Sequence, residues 1–423
     1  MSNKEFEIEK LGECRYESPI HETIFVDDND GILVDATLSV CKACSGNPEY
    51  MELAGPRKQI YFSPSSVTAG VVTCGGLCPG LNDVIRTIVM VLWYRYGVRR
   101  ILGYRYGYKG LTPASKHPPL VLTPEIVESI HNDGGTILGT SRGPADISEI
   151  VNTLERDNVN ILFTIGGDGT HRGMYEITKE ISKRRLPIAV VGVPKTIDND
   201  ISYIERSFGF ETAVEMSRTV ITCAHMEAKG AENGIGLVKL MGRESGFIAA
   251  YATLASGDVN LTLVPEVPFS LKKVVDFMRE RLIRKSHAVV VVAEGAGQNL
   301  FNIEGTDASG NKKLGDIGRL LAKTFTEELN NLKPAPSIKY IDPSYTIRSA
   351  PASADDSVFC FRLAENAVHA AMTGRTAMVV GFWNGHFVHV PVKKAIQERK
   401  KLDPSGSLWQ SVLENTGQPA ILL

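Results

Sequence analysis

Ile161-Leu-Phe-Thr-Ile-Gly-Gly-Asp-Gly-Thr170 is the stretch on which the fold turns. Ile161 to Ile165 are apolar or β-branched throughout, the composition of a parallel strand covered on both faces. Gly166, Gly167 and Gly169 then remove the side chains that would keep a phosphate away from backbone N–H groups, and Asp168 offers a hard oxygen to Mg²⁺. A helical pattern from His171 to Ile181 follows, so its positive end faces the same loop. Strand, glycine loop, acid and helix together read as a nucleotide or polyphosphate site. A tight turn with an incidental aspartate would need one glycine, not three.

Working outward, 423 residues with 43% hydrophobic side chains are enough for a large core in two or more α/β domains. A net charge of -2 and a pI near 6.5 give no electrostatic reason to expect nucleic acid or an anionic membrane as partner. No apolar run approaches the roughly 18 residues of a membrane span, and Met1-Ser-Asn-Lys-Glu-Phe-Glu-Ile-Glu-Lys10 is acidic where a targeting peptide is basic or apolar. The expected compartment is the cytosol. Seven cysteines spread over the chain read as reduced thiols; Cys41-Lys-Ala-Cys44 has metal or redox spacing but no second pair at zinc-site distance.

Residues 1–66 read as an extension without chemistry of its own, with turn signals at Gly46-Asn47-Pro48 and Ser63-Pro64-Ser65-Ser66. The regular core begins at the strand Gly70-Val-Val-Thr73. The loop Cys74-Gly75-Gly76-Leu77-Cys78-Pro79-Gly80 and a helix from Leu81 to Tyr94 follow, a second strand, glycine loop and helix unit. Neither loop matches the P-loop or dinucleotide fingerprint. Arg105, Lys109 and Arg142 stand in two further glycine-rich loops, where guanidinium groups can clamp phosphate oxygens.

A third buried strand, Ile188 to Val193, runs into Pro194-Lys195-Thr196-Ile197-Asp198-Asn199-Asp200, the polar density expected at the carboxyl end of an α/β sheet. In extended backbone Asp198 and Asp200 face one side, with Asp198 the better general base. The bland alternative is an Asx-turn. Further strands run into Met241-Gly242-Arg243-Glu244-Ser245-Gly246 and Glu294-Gly-Ala-Gly297, and Tyr345-Thr-Ile-Arg348 suggests a sugar-phosphate clamp near Lys339. A helix from Ser353 to Met372, a closing strand from Ala377 to Phe382, a charged helix spanning Lys393 to Lys401 and a short tail complete the reading.

The set CGGLCPGLN, GGTILGTSRGP, GGDGT, PKTIDND, LVKLMGR and AEGAG, in this order over about residues 67–395, resembles the 6-phosphofructokinase family. It is most similar to the plant and trypanosomatid branch of ATP-dependent enzymes, which is related to pyrophosphate-dependent ones. The resemblance implies two Rossmann-like three-layer domains with mostly parallel sheets, the active site between them, and a homo-oligomer (dimer or tetramer) subject to allosteric control. The expected division is 67–209 plus 348–395 for the phosphoryl donor and 210–347 plus 396–423 for the sugar phosphate. It further implies that Gly76, Arg105, Arg142, Gly143, Gly167, Asp168, Gly169 and Thr170 meet ATP, with Asp168 holding Mg²⁺. Thr196, Ile197, Asp198, Met241, Gly242, Arg243, Glu294, Tyr345 and Arg348 would bind fructose 6-phosphate. Asp198 would serve as base, with Thr196, Arg142 and Arg243 as its catalytic companions.

Against the bacterial ATP enzymes, Tyr345 stands where the family has the His of His-x-x-Arg, and Gly234 where it has an Arg that reaches a neighbouring subunit's substrate. Donor choice falls on Gly169 and Lys195. The family's pyrophosphate enzymes carry Asp and Lys there and its bacterial ATP enzymes carry Gly at both. A carboxylate at 169 would repel the α-phosphate of ATP, so Gly169 favours ATP, while Lys195 keeps pyrophosphate as the alternative. NAD kinases and diacylglycerol kinases share GGDGT but would not be expected to supply the other loops. A non-catalytic regulatory subunit would lack Asp168 or Asp198.

Overall fold

The structure, a computed structural model, describes residues 5–21, 23–43, 48–306 and 312–423, with the side chains of 41–43 left aside. Cys44 and the turn residues Gly46 and Asn47 therefore lie outside the described residues. In chain order the main strands are β1 (Gly31–Leu33), β2 (Tyr50–Leu53), β3 (Thr68–Thr73), β4 (Arg100–Tyr104), β5 (Leu120–Val121), β6 (Ile161–Gly166) and β7 (Ala189–Pro194). Then come β8 (Gly234–Leu240), β9 (Leu261–Leu263), β10 (His287–Ala293), β11 (Ser337–Ile341), β12 (Met378–Trp383) and β13 (His386–Pro391). The helices used below are α1 (Leu81–Met90), α2 (Asp168–Lys183), α3 (Phe210–Lys229), α4 (Phe247–Ser256), α5 (Ser344–Arg348), α6 (Ala354–Met372) and α7 (Ser407–Thr416).

Two compact units result, one of residues 1–196, 201–209 and 349–399, the other of 197–200, 210–348 and 400–423. The first holds a nine-stranded sheet in the order β1-β2-β13-β12-β7-β6-β3-β4-β5. Its middle, from β12 to β4, is parallel, and β3, β6 and β7 are buried along their whole length. Runs such as Ile-Leu-Phe-Thr-Ile belong there because helices cover both faces of a parallel sheet. On one face Leu154, Leu162, Met174, Ile177 and Val190 form a continuous apolar cluster. The second unit holds an all-parallel sheet, β9-β10-β8-β11, with Leu237, Val290, Val292, Leu321 and Phe325 in its core.

Several sequence expectations need correction. The strand 377–382 does not close the regular part: β13 returns antiparallel beside β12, and the turn between them has Asn384 and Gly385 at φ 47° and 80°. Asn-Gly between apolar runs is a hairpin signal that was legible. The charged segment 393–401 is not one helix; Val392–Ala395 makes a single turn and Arg399 pairs with Ile201 instead. The tail carries α7, anchored by buried Trp409 and Val412. The extension packs on the body through the sheet itself, since β1 and β2 continue the main sheet at its edge. Arg375, 1% exposed, bonds Glu52 and Asp28 through its guanidinium, and Arg57 joins the same carboxylates.

Candidate active site

In the first unit the chain passes from β3 to β4 on one side, then re-crosses to β6 on the other and continues to β7 and β12. The direction of progression reverses between β3 and β6. Loops at such a reversal open a crevice at the carboxyl ends of the strands, and these loops are 74–80 and 166–170.

Gly75 has a φ of +88°, its amide donates to the Ser141 carbonyl at 3.1 Å, and Thr140 Oγ1 donates to the Gly75 carbonyl at 2.7 Å. These bonds carry the following residue, Arg142, over Gly76: a methyl at 76 would lie 2.9 Å from Arg142 Nη2. From the other side buried Lys195, just past β7, donates from Nζ to the Gly76 carbonyl at 2.8 Å. Two cations thus converge on one glycine. Arg105 lies half-buried at the end of β4 with its guanidinium over the Tyr106 ring, and the Tyr106 amide bonds Leu138 of the loop that carries Arg142 and Gly143. Among the described residues neither Arg105 nor Arg142 has a carboxylate partner, which leaves their charge for an anion.

The glycine loop itself differs from expectation in one respect. Helix α2 begins at Asp168, not His171, with Gly167 as its N-cap. Asp168, Gly169 and Thr170 therefore form the first turn; the Thr170 amide donates to the Gly167 carbonyl at 2.9 Å, while the amides ahead of it and the helix dipole favour a phosphate. A methyl placed on Gly169 meets nothing within 4 Å, so the space beside this turn is open to a ligand. His171, fully buried behind it, is held neutral, its pKa lowered to about 4 by burial.

Asp168 is partly exposed, and its Oδ2 meets Arg172 at 3.1 Å and Arg399 at 3.8 Å. Arg172 was legible as an i, i+4 partner on a helix; Arg399 had no local signal. Among the described residues no group of three or more His, Cys, Asp or Glu side chains is placed to hold a metal. One carboxylate at a phosphate-binding turn fits Mg²⁺, which binds few protein ligands and takes the rest from phosphates and water.

Thr196, whose carbonyl accepts from Ser207 Oγ at 2.5 Å, is the last residue of the first unit before the switch. Residues 197–200 belong to the second unit and are not extended: Ile197 and Asp198 form a turn and Asn199 is left-handed at φ 54°. The shared-side argument for Asp198 and Asp200 therefore fails, because the backbone turns here. Asp198 remains partly buried, its carbonyl accepting from Ser245 Oγ at 3.2 Å.

The other residues expected to bind the sugar phosphate gather at the carboxyl ends of β8, β10 and β11. The Glu294 amide donates to Leu240 at 2.9 Å and the Gly295 amide to Gly242 at 3.0 Å. A methyl at Gly295 would stand 1.9 Å from the Arg243 carbonyl, so this approach demands glycine. Met241 is fully buried beneath, and Arg243 reaches the Lys312 carbonyl at 2.7 Å. Tyr345 and Arg348 stand on the short helix α5; Tyr345 is 85% exposed and Arg348 Nη2 lies 3.9 Å from Glu294. Lys339 on β11 is exposed.

The described cysteines 14, 74, 78, 223 and 360 are free thiols, and no helix among the described residues is long and apolar enough to cross a membrane. A family model described as Phosphofructokinase matches residues 68–371. The ATP-dependent 6-phosphofructokinase of Borreliella burgdorferi is 48% identical, over 99% of this chain and 97% of that protein. That of Trypanosoma brucei brucei is 49% identical, over 88% of this chain and 77% of its own. ATP-dependent 6-phosphofructokinase 7 of Arabidopsis thaliana is 48% identical over 87% and 77%. A crystal structure of a pyrophosphate-dependent phosphofructokinase from Marinobacter aquaeolei matches with a TM-score of 0.68 at 18% identity, over 83% of this chain and 91% of that one, a likeness of fold alone.

Proposed function

The chain belongs to the phosphofructokinase family, and from that premise we propose how its residues share the work of phosphoryl transfer. It is a kinase of glycolysis that uses ATP to phosphorylate fructose 6-phosphate. The structural observation that favours ATP is the open space at Gly169 in the first turn of α2. Room for the α-phosphate and nucleoside is what distinguishes ATP from pyrophosphate as a donor. Lys195, the residue that kept pyrophosphate in view, donates to the Gly76 carbonyl and so has a loop-bracing task that either donor tolerates.

On the donor side, the amides of Gly167, Asp168 and Gly169 receive the phosphates with Thr170 beside them, while Gly76, Arg142, Gly143 and Arg105 line the neighbouring loops. Asp168 would hold Mg²⁺, which when bound offsets charge on the β- and γ-phosphoryl oxygens. On the acceptor side, Met241, Gly242, Arg243, Glu294, Tyr345 and Arg348, with Thr196 and Ile197, hold the sugar phosphate. Asp198 accepts the proton of the sugar 1-hydroxyl as that oxygen bonds to the γ-phosphorus and the bond to the β–γ bridging oxygen breaks, releasing ADP. Arg142 and Arg243 offset the charge on the group in flight. The two units described above correspond in this reading to a donor-binding and a sugar-phosphate-binding domain. We place the enzyme in the cytosol as a homo-oligomer, a dimer or tetramer, under allosteric control.

The test is initial rates with fructose 6-phosphate and Mg²⁺, comparing ATP with pyrophosphate. Turnover with ATP alone is expected; turnover with pyrophosphate alone overturns the donor assignment. Asp198→Asn should lower kcat by about 10²- to 10⁴-fold with little change in either KM. Near-parental activity of that variant would remove Asp198 from the mechanism.

A further inference from the structure

Glu266 follows β9 and was not singled out by any motif, yet it stands where four distant segments of the second unit meet. Its Oε1 accepts the Gly246 amide and the Leu402 amide, both at 2.9 Å. Gly246 adjoins Ser245, whose hydroxyl donates to the Asp198 carbonyl at 3.2 Å. Leu402 lies two residues from Lys400, whose amide donates to the Asp200 carbonyl at 2.9 Å. The path from Asp198 through Asp200, Lys400, Leu402, Glu266, Gly246 and Ser245 returns to Asp198. All of these residues belong to the same unit.

We propose that Glu266 is a positioning residue of the acceptor site, closing this hydrogen-bonded ring and thereby fixing the Asp198 turn against the loop that carries Arg243. The inference rests on the reading of Asp198 as proton acceptor. Three features argue that the carboxylate is built in for this task. Its second oxygen, Oε2, is buried and without a hydrogen-bond partner among the described residues, a cost that a residue of no consequence would not carry. Burial raises its pKa, while the Gly246 and Leu402 amides and nearby Lys401 favour the charged form. Gly246 is packed so that a methyl there would stand 2.4 Å from Val264 and 3.0 Å from Glu266 Oε2, which leaves the carboxylate a direct approach to that amide.

The ring also explains a need of the sequence around it. Residues 197–200 are a short turn with one left-handed residue and no secondary structure to hold them. A base on such a turn keeps its aim only if tertiary bonds supply the rigidity, since an error near 1 Å can cost about 100-fold in rate. Two backbone carbonyls of the turn, at Asp198 and Asp200, are engaged, and Glu266 links the segments that engage them.

The test compares Glu266→Ala, Glu266→Gln, Ser245→Ala, the Glu266/Ser245 double alanine variant and Asp198→Asn in full-length protein. Glu266→Ala should lower kcat by about 10- to 100-fold with the KM for ATP within about twofold of parent. Glu266→Gln, whose amide oxygen still accepts both N–H groups, should restore most of that loss. Ser245→Ala cuts the ring elsewhere and should lower kcat in the same pattern, and the double variant should be little worse than Glu266→Ala alone. If Glu266→Ala does not fold, Ser245→Ala and Glu266→Gln decide the matter by the same criteria. A kcat within about twofold of parent for Glu266→Ala, or for Ser245→Ala where that variant must decide, overturns the proposal. So do losses shared equally between both KM values and kcat and not recovered by glutamine. If Asp198→Asn stays active, the reading of the base fails instead, and a kcat loss in the ring variants would then have to act through Arg243 alone.

Discussion

In the proposed function a single missing side chain, that of Gly169, sets the phosphoryl donor. Apart from its chain neighbours and its own helix backbone, nothing lies within 4 Å of a methyl built there, and the position is the second of a helix. Gly169→Asp should therefore fold normally, because an acid in a first turn suits the helix dipole and meets no protein atom. Its penalty falls on ATP: two unit charges about 4 Å apart cost about 4 kcal/mol at an effective dielectric of about 20. We expect kcat/KM for ATP to fall by at least about 100-fold with an unchanged melting temperature, measured by steady-state rates and thermal unfolding. Equal turnover by the variant would show that the α-phosphate passes elsewhere. The glycine itself was readable in sequence; that its surroundings are empty was not, because space is defined by residues from several loops.

At the scale of elements, strand ends do the positioning. The loops after β8 and β10 are bonded amide to carbonyl, and Gly295 lets them touch. In Gly295→Ala the added methyl meets the Arg243 carbonyl at 1.9 Å, a contact with backbone that cannot rotate away. Displacement of the Arg243 loop should raise the KM for fructose 6-phosphate several-fold and leave that for ATP near its parental value, with a stability loss of about 1–3 kcal/mol. An unchanged KM for the sugar phosphate would mean that Arg243 lies outside its site. The strands and most helices were legible because buried parallel strands are apolar without interruption, as at Ile161 to Ile165. The hairpin of β12 and β13 carried its Asn-Gly signal openly. The failure at 393–401 has another cause: the segment has helical composition, but Arg399 and Lys400 find partners at Ile201 and Asp200, and tertiary bonds outweigh weak propensity.

For the whole molecule, acid is the revealing perturbation. Burial lowers the pKa of His171 to about 4, of His369 to about 3 and of His389 to about 4. In the unfolded chain these histidines take protons near pH 6.5, whereas the folded chain resists until about pH 4. The folded state is thus at its full stability above about 6.5 and loses it as pH falls towards 4, by up to about 1.4 kcal/mol per histidine for each unit. Although burial opposes it, Arg375 and Arg57 hold Asp28 well below the usual carboxylate range, and Arg375 does the same for Glu52. Their contribution is lost at still lower pH, in the same direction. Urea midpoints should therefore fall between pH 7 and pH 5; a flat profile would show that these histidines are not buried neutral.

What the sequence determined by itself is the chemistry: four glycine-bearing strand ends, the Asp168 and Asp198 carboxylates and the order of six loops named the family and its reaction. Those features are local, since a strand, its loop and the next helix are contiguous and their residue types answer to backbone and phosphate alone. Only the tertiary structure decided the convergence of Arg142 and Lys195 on Gly76, the union of the extension with the main sheet through Arg375, and the ring that Glu266 closes. Each joins residues tens to hundreds of positions apart. No periodicity or spacing encodes such meetings, because they depend on where the chain re-crosses its own sheets and on which buried polar groups must find partners there.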